Sequence, residues 1–215
     1  MKKWLFNDCC GLTAAVKSGD KTMTRRVAKD IEKRYEIDQD LTDMLGNPTG
    51  KSETLEEFAL RVCPIKVGEV IAVAESYKSL WDSEYLPPRM EDEIGVLIAK
   101  NHPGITNKLF VRAELMPVRV KVTGIRFERL QDISDEDCLK EGIKQWDASK
   151  ESEDVVKKDI AEFTERLGHS PYQIQGCWNV YEEPRHAFAD LIEKVSGKGV
   201  WESNPYVYAY TFEKV

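Results

Sequence analysis

The sequence predicts an α+β fold in which several strands, with few helices between them, curl into a β-barrel flanked by helices. Two patterns carry that expectation. Residues 69–77 alternate and are rich in β-branched side chains, and residues 118–127 place Val118, Val120 and Val122 on one side with Arg119, Lys121 and Thr123 on the other. The regular strand–helix alternation of a doubly wound parallel sheet is missing, so the helices are expected at the flanks. A chain of 215 residues can bury a sizeable core as one domain with insertions, and a second independent domain is not required.

In chain order, residues 8–18 read as a short helix with Leu12, Ala15 and Val16 on one face and Gly19 as its stop. Residues 22–27 follow as a strand. Residues 28–62 carry mixed charge and sparse apolar positions, the pattern of an insertion, with a turn at Asn47-Pro48-Thr49-Gly50 and a short helix over 54–62. After the strand at 69–77, residues 79–108 read as a long connection rich in Pro, Glu and Asp. A short strand over 109–112 leads to the strand at 118–127. Ser134 caps the next helix, with Asp135, Glu136 and Asp137 in its positive first turn and Gly142 at its end. Residues 144–184 form a second insertion, where Val156, Ile160, Phe163 and Leu167 make a helical stripe expected to pack on the barrel. Pro184 opens a helix whose core face is Phe188, Leu191, Ile192 and Val195 and which stops near Gly197. Residues 206–215 are the final strand.

The charge balance limits the partners. With 31 basic and 38 acidic residues the formal charge is −7. Nonspecific binding of long nucleic acid draws its affinity from a basic face, so any such face here must be local. A pocket for a nucleoside or a short single strand suits this chain better than a groove for duplex. The five cysteines are odd in number and form no C-x-x-C pair, and the three histidines are scattered, so neither a disulfide framework nor a metal site is expected. No cofactor is implied. Lys2 and Lys3 precede only a short apolar run, and no stretch is long enough to cross a membrane, which points to a cytoplasmic protein.

Against that acidic background the run Gly19-Asp20-Lys21-Thr22-Met23-Thr24-Arg25-Arg26 gathers three cations and two hydroxyls within eight residues. It offers a nucleophile, an amine that could deprotonate it, and guanidinium forks for an anion or a base edge. The spacing Gly19-x-Lys21-x-x-Thr24-x-Arg26 resembles the signature of the ASCH domains, a branch of the PUA-like β-barrels associated with RNA and modified nucleosides. Lys66-Val67-Gly68-Glu69-Val70-Ile71-Ala72-Val73 is similar to the strand that follows that signature in the family. The region 118–143, centred on Arg129-Leu130-Gln131-Asp132-Ile133-Ser134, resembles the later strand and its helix. Trp201-Glu202-Ser203-Asn204-Pro205-Tyr206-Val207-Tyr208 is similar to the closing strand of the larger, phage-type members. Thr24 stands where many members carry Glu, and the chain is longer than the smallest of them.

The resemblance implies a PUA-like barrel and a site. In the small ASCH-like enzymes that deacetylate N4-acetylcytidine, catalysis belongs to a Lys, a Thr and a Glu, and these fall on Lys21, Thr24 and Glu141. The chemistry is reasonable on its own terms. A threonine hydroxyl needs a base, and a lysine serves as one only if burial and like charge, here from Arg25 and Arg26, lower its pKa. Glu141 ends its helix, where the macrodipole disfavours a carboxylate, so it could protonate a leaving amine. On a regular strand Lys21 and Thr24 would point to opposite faces, so Lys21 must lie in the preceding turn. Arg26 shares the Thr24 face, and Arg25 and Glu75 join it as substrate-binding candidates, Glu75 on a central strand where Arg26 or Lys21 would balance it. Trp201, Tyr206 and Tyr208 could stack a base, although strand aromatics more often belong to the core. A binding module without chemistry and a ribonuclease using the same cationic cleft remain alternatives.

Overall fold

The computed structural model describes residues 1–46, 53–83, 86–146, 154–177 and 179–215. The predicted turn at 47–50 lies outside them. The order begins β1 (Lys3–Trp4), α1 (Leu12–Ser18), β2 (Met23–Val27), α2 (Ile31–Leu45), α3 (Leu55–Val62), β3 (Val70–Val73), α4 (Tyr77–Trp81) and α5 (Pro88–Ala99). Three single 3-10 turns lead to β4 (Arg119–Arg129), α6 (Asp135–Lys140), β5 (Ile143–Gln145), α7 (Asp154–Leu167), β6 (Tyr172–Ile174) and β7 (Val180–Tyr181). The chain ends with α8 (Pro184–Ser196), α9 (Val200–Ser203) and β8 (Tyr206–Lys214).

The fold is α+β, but the predicted PUA-like barrel is not formed. A mixed five-stranded sheet runs β1-β3-β4-β8-β2, a three-stranded sheet runs β5-β6-β7, and neither closes. β1 is the reason. It pairs with β3 through Lys3 and Trp4 only, too few main-chain groups to reach the far edge. The two edges meet instead through a side chain, Arg26 of β2 donating from Nη2 to the Leu5 carbonyl at 3.4 Å. The sheet still coils strongly, since Trp4 on β1 packs on Tyr210 and Phe212 of β8 with ring centroids 5.4 and 5.6 Å apart.

β4 and β8 are the spine, antiparallel from Val120↔Lys214 to Arg129↔Tyr206 with a bulge at Val122/Gly124. The alternation seen in the sequence sets this strand's faces: Val120 and Val122 are buried and Lys121 is exposed. β3 is covered on both sides. Ile71 and Val73 join the main core with Trp4, Phe188 and Tyr210, while Ala72 and Ala74 join a second cluster with Tyr77, Leu80 and Ile94. That second cluster corrects three expectations. The strand at 69–77 stops at Val73, because the Ser76 hydroxyl accepts from the Ser79 N–H and starts α4. The connection at 79–108 holds α5, opened by proline at its N-terminus. Residues 109–112 are not a strand: Leu109 and Phe110 belong to a 3-10 turn at Lys108–Phe110, which Val111 ends.

In the region 28–62, α2 is a helix the sequence did not predict, and α3 begins with Thr54 and Glu57 capping each other's N–H groups. Among the described residues no helix is long and apolar enough to cross a membrane.

Candidate functional site

Gly19 ends α1 in the left-handed conformation, φ 86°, its N–H donating to the Val16 carbonyl. The chain then turns toward the sheet, fixed by Lys21 N–H on Ala15 O and Thr22 N–H on Lys140 O, both 2.9 Å. Lys21 therefore precedes β2, as the chemistry required, and its side chain is drawn inward. It is 2% exposed, and Nζ donates to Glu141 Oε2 and to the Glu141 carbonyl, each at 2.6 Å. Burial pushes the Lys21 amine below its ordinary value; the Glu141 carboxylate opposes that, and the cations of Arg26 and Arg25 add to it. Glu141 is the C-cap of α6 and is 4% exposed.

Arg25 takes the other oxygen of that carboxylate, Nη1 to Glu141 Oε1 at 3.2 Å. It also donates to Glu128 Oε1 from Nη2 at 2.7 Å and from Nε at 3.0 Å, and to Asp137 Oδ2 at 3.0 Å. Asp137 is bound in turn by Arg126 and by Lys140. Burial raises the Asp137 carboxyl, but the hydrogen bonds from Arg126 and Arg25 outweigh it and hold the group below the usual range. Arg25 thus ties β2, β4 and α6 together.

Thr24 and Arg26 share the opposite face of β2, in register with Tyr210 and Tyr208 of β8. Both line a cavity of about 580 Å³, together with Phe6, Arg25, Lys29 and the end of α8 at Ser196. That volume suits a small ligand. Among the described residues the Thr24 hydroxyl has no hydrogen-bond partner and Arg26 has no carboxylate partner. The Arg26 guanidinium lies against the rings of Trp4 and Phe6, 5.1 and 5.8 Å from their centroids, and its Nε is buried without an acceptor among the described residues. Burial lowers its pKa from the ordinary arginine value.

The structure therefore brings Lys21, Arg25 and Glu141 into one buried network and puts Thr24, Arg25 and Arg26 on the cavity wall. Neither Lys21 nor Glu141 lines that cavity. Glu75 joins neither group. It lies past the end of β3, is buried, and accepts from Lys17 Nζ at 2.8 Å rather than from Arg26 or Lys21, with Oε1 left without a hydrogen-bond partner among the described residues. Of the late aromatics, Tyr208 is buried in the core and Trp201 packs on Phe188. Tyr206 stacks on Phe127 at 4.7 Å, with the Arg129 guanidinium 3.6 Å from its ring.

Asp137 and Glu128 were not among the expected site residues. The spacing of Asp137 and Glu141, four apart on one helix, puts both carboxylates on one face and was the available signal. Phe6 and Ser196 carried no such signal, since tertiary packing alone brings them to the cavity, whereas Lys29 closes the run of cations from residue 21 to 29. No group of His, Cys, Asp and Glu among the described residues could hold a metal ion. Comparison of the chain with known protein families, curated proteins and solved structures found no match.

Proposed function

We propose that this chain recognises a nucleoside, or the exposed base of a short single-stranded RNA, in the cavity beside Thr24 and Arg26, and hydrolyses an acylated amine such as that of N4-acetylcytidine. Membership of the ASCH family is part of this reading and rests on the Gly19-x-Lys21-x-x-Thr24-x-Arg26 spacing and the segments that follow it. One observation carries the functional claim: among the described residues, a hydroxyl without a hydrogen-bond partner and a guanidinium without an ion pair share the wall of a ligand-sized cavity, joined through Arg25 to a buried lysine–carboxylate pair.

In this reading the Lys21 Nζ proton moves across the 2.6 Å contact to Glu141 Oε2, leaving a neutral amine. That amine takes the Thr24 proton, directly or through one water, as Oγ1 attacks the acyl carbon. The C–N bond breaks, the departing nitrogen takes a proton from the pair, and the acyl group stays on Thr24 as an ester. Water then cleaves the ester, releasing the carboxylic acid and restoring the hydroxyl. Incubation with N4-acetylcytidine and chromatography for cytidine tests this, and absence of cytidine at high enzyme concentration removes the hydrolytic reading.

A second reading, a binding module without chemistry, has its own support. Lys21 Nζ is held by two oxygens of Glu141, and neither residue lines the cavity. Saturable cytidine binding without turnover of the acetylated form would favour it.

A further inference from the structure

We infer that the Arg26–Lys29 side of the cavity seats a phosphate, so that the ligand is a nucleotide rather than a free nucleoside; this rests on the nucleoside reading above. Arg34, Arg119 and Arg185 have no carboxylate within ion-pair distance among the described residues, but five other arginines of this acidic chain do: Arg61, Arg112, Arg126, Arg129 and Arg166. Arg26 is more enclosed than these and has none among the described residues. The cavity wall carries Arg25, Arg26 and Lys29 but neither Asp nor Glu. Arg25 is already balanced by Glu128, Asp137 and Glu141. Lys29 has no ion pair among the described residues.

The Glu141 carboxylate acts on Arg26 without a direct hydrogen bond and is itself held by Lys21 and Arg25, so an anion bound at the cavity wall would supply the contact ion pair that this enclosed cation lacks. The form of the site narrows the anion. Trp4 and Phe6 lie against the guanidinium, and its one acceptor among the described residues is the Leu5 carbonyl at 3.4 Å, which leaves donors of the fork open. A planar fork with an ammonium nearby matches phosphate geometry. Thr24 and Arg26, two residues apart on β2, are about 7 Å from each other, and Lys29 lies in the turn just past the end of that strand. The acyl amine would lie toward Thr24 and the phosphate toward Lys29.

The phosphate could be terminal, as in a mononucleotide, or bridging, as in a short strand. Calorimetric titration of the intact protein with cytidine, cytidine 5′-monophosphate, a cytidine dinucleotide and inorganic phosphate separates these. The expected result is at least tenfold tighter binding of the monophosphate or the dinucleotide than of cytidine, and whichever binds better identifies the source. Lys29→Gln, an exposed change that leaves the core intact, should remove at least half of that gain on a logarithmic scale, and Arg26→Gln should remove the rest. Equal affinity for cytidine and both phosphate-bearing ligands overturns the phosphate assignment and leaves the nucleoside reading standing. Binding of inorganic phosphate as tight as the nucleotide overturns the nucleotide. Failure of cytidine and all nucleotides to bind overturns both readings.

Discussion

Replacing Glu141 with Gln should be among the most destabilising isosteric changes in this chain. The carboxylate is shared, with Oε2 2.6 Å from Lys21 Nζ and Oε1 3.2 Å from Arg25 Nη1. At an effective dielectric constant of about 20 these contacts correspond to ~6 and ~5 kcal/mol of Coulomb attraction, most of it offset by the desolvation of the ions. Glutamine keeps the shape but leaves Lys21 buried beside a neutral group, and breaking a buried pair in this way costs about 3–5 kcal/mol. Lys21→Met should cost less, about 1–3 kcal/mol, because Glu141 keeps Arg25. The double variant should fall short of the sum by about 0.5–3 kcal/mol. Urea unfolding read by tryptophan fluorescence measures all three, with an unchanged m-value as the check that only the folded state is affected. The pH dependence adds a second test. Burial lowers the Lys21 pKa below its ordinary 10.5, so between the folded and unfolded values the unfolded chain binds the extra proton. The parent should therefore gain stability relative to Lys21→Met as pH rises through that window. A Glu141→Gln variant within about 1 kcal/mol of the parent, or strict additivity in the double variant, would refute the network as described.

Thr24→Ala should abolish deacylation while leaving the unfolding midpoint nearly unchanged, because this small side chain faces a cavity and has no hydrogen bond among the described residues to lose; full activity would exclude Thr24 as nucleophile. Arg26→Ala should raise KM more than it lowers kcat, since its assigned work is binding, and a steady-state comparison with the parent separates the two. Affinity for short RNA should fall only shallowly with salt, with a log–log slope on the order of −1 to −3, and single strands should be preferred to duplex; a steep slope with duplex preferred would reveal an extended basic surface. Burial pushes the Cys138 thiol up from 9.0 to about 12. The folded state then holds a proton that the unfolded chain releases, so stability should decline as pH climbs from 9.0 toward 12, and Cys138→Ala should flatten that decline in a pH series of urea midpoints.

The parts of the fold legible in the sequence were those whose local pattern and tertiary role agree. β4 alternates because one face is core, α6 announces itself by Ser134 and three acids, and α8 by Pro184 and its apolar stripe. α2 was missed because its only buried residue is Ile31, and it leaves Ile37, Leu41, Met44 and Leu45 exposed. A periodicity search that looks for a buried face has little to find there. The strands of the small sheet run two or three residues, too short for any alternation to register. Barrel closure failed for a different reason: whether a sheet closes depends on how many main-chain groups its edges can offer each other, and the two-residue length of β1 is not a property the alternation of its neighbours encodes.

The site shows the same division, and it bears on function. The cluster from Lys21 to Arg26 was visible as a concentration of cations, but its sequence treats the three as equivalent. Tertiary structure assigns them different work. Lys21 leaves the sheet through the Gly19 turn and is neutralised by Glu141. Arg25 turns to the face where α6 supplies Asp137 and Glu141, and β4 supplies Glu128, so its charge is balanced. Arg26, one residue further and therefore on the other face, meets Trp4, Phe6 and a main-chain carbonyl instead of an acid. Strand alternation thus sorts adjacent arginines into one that holds the fold together and one that is enclosed beside an open cavity with no contact ion pair among the described residues. A fold that needed Arg26 only for packing could replace it with an apolar side chain and avoid burying a charge. Its presence there, on a wall that carries no Asp or Glu among the described residues, is the physical reason to look for an anionic ligand in this cavity.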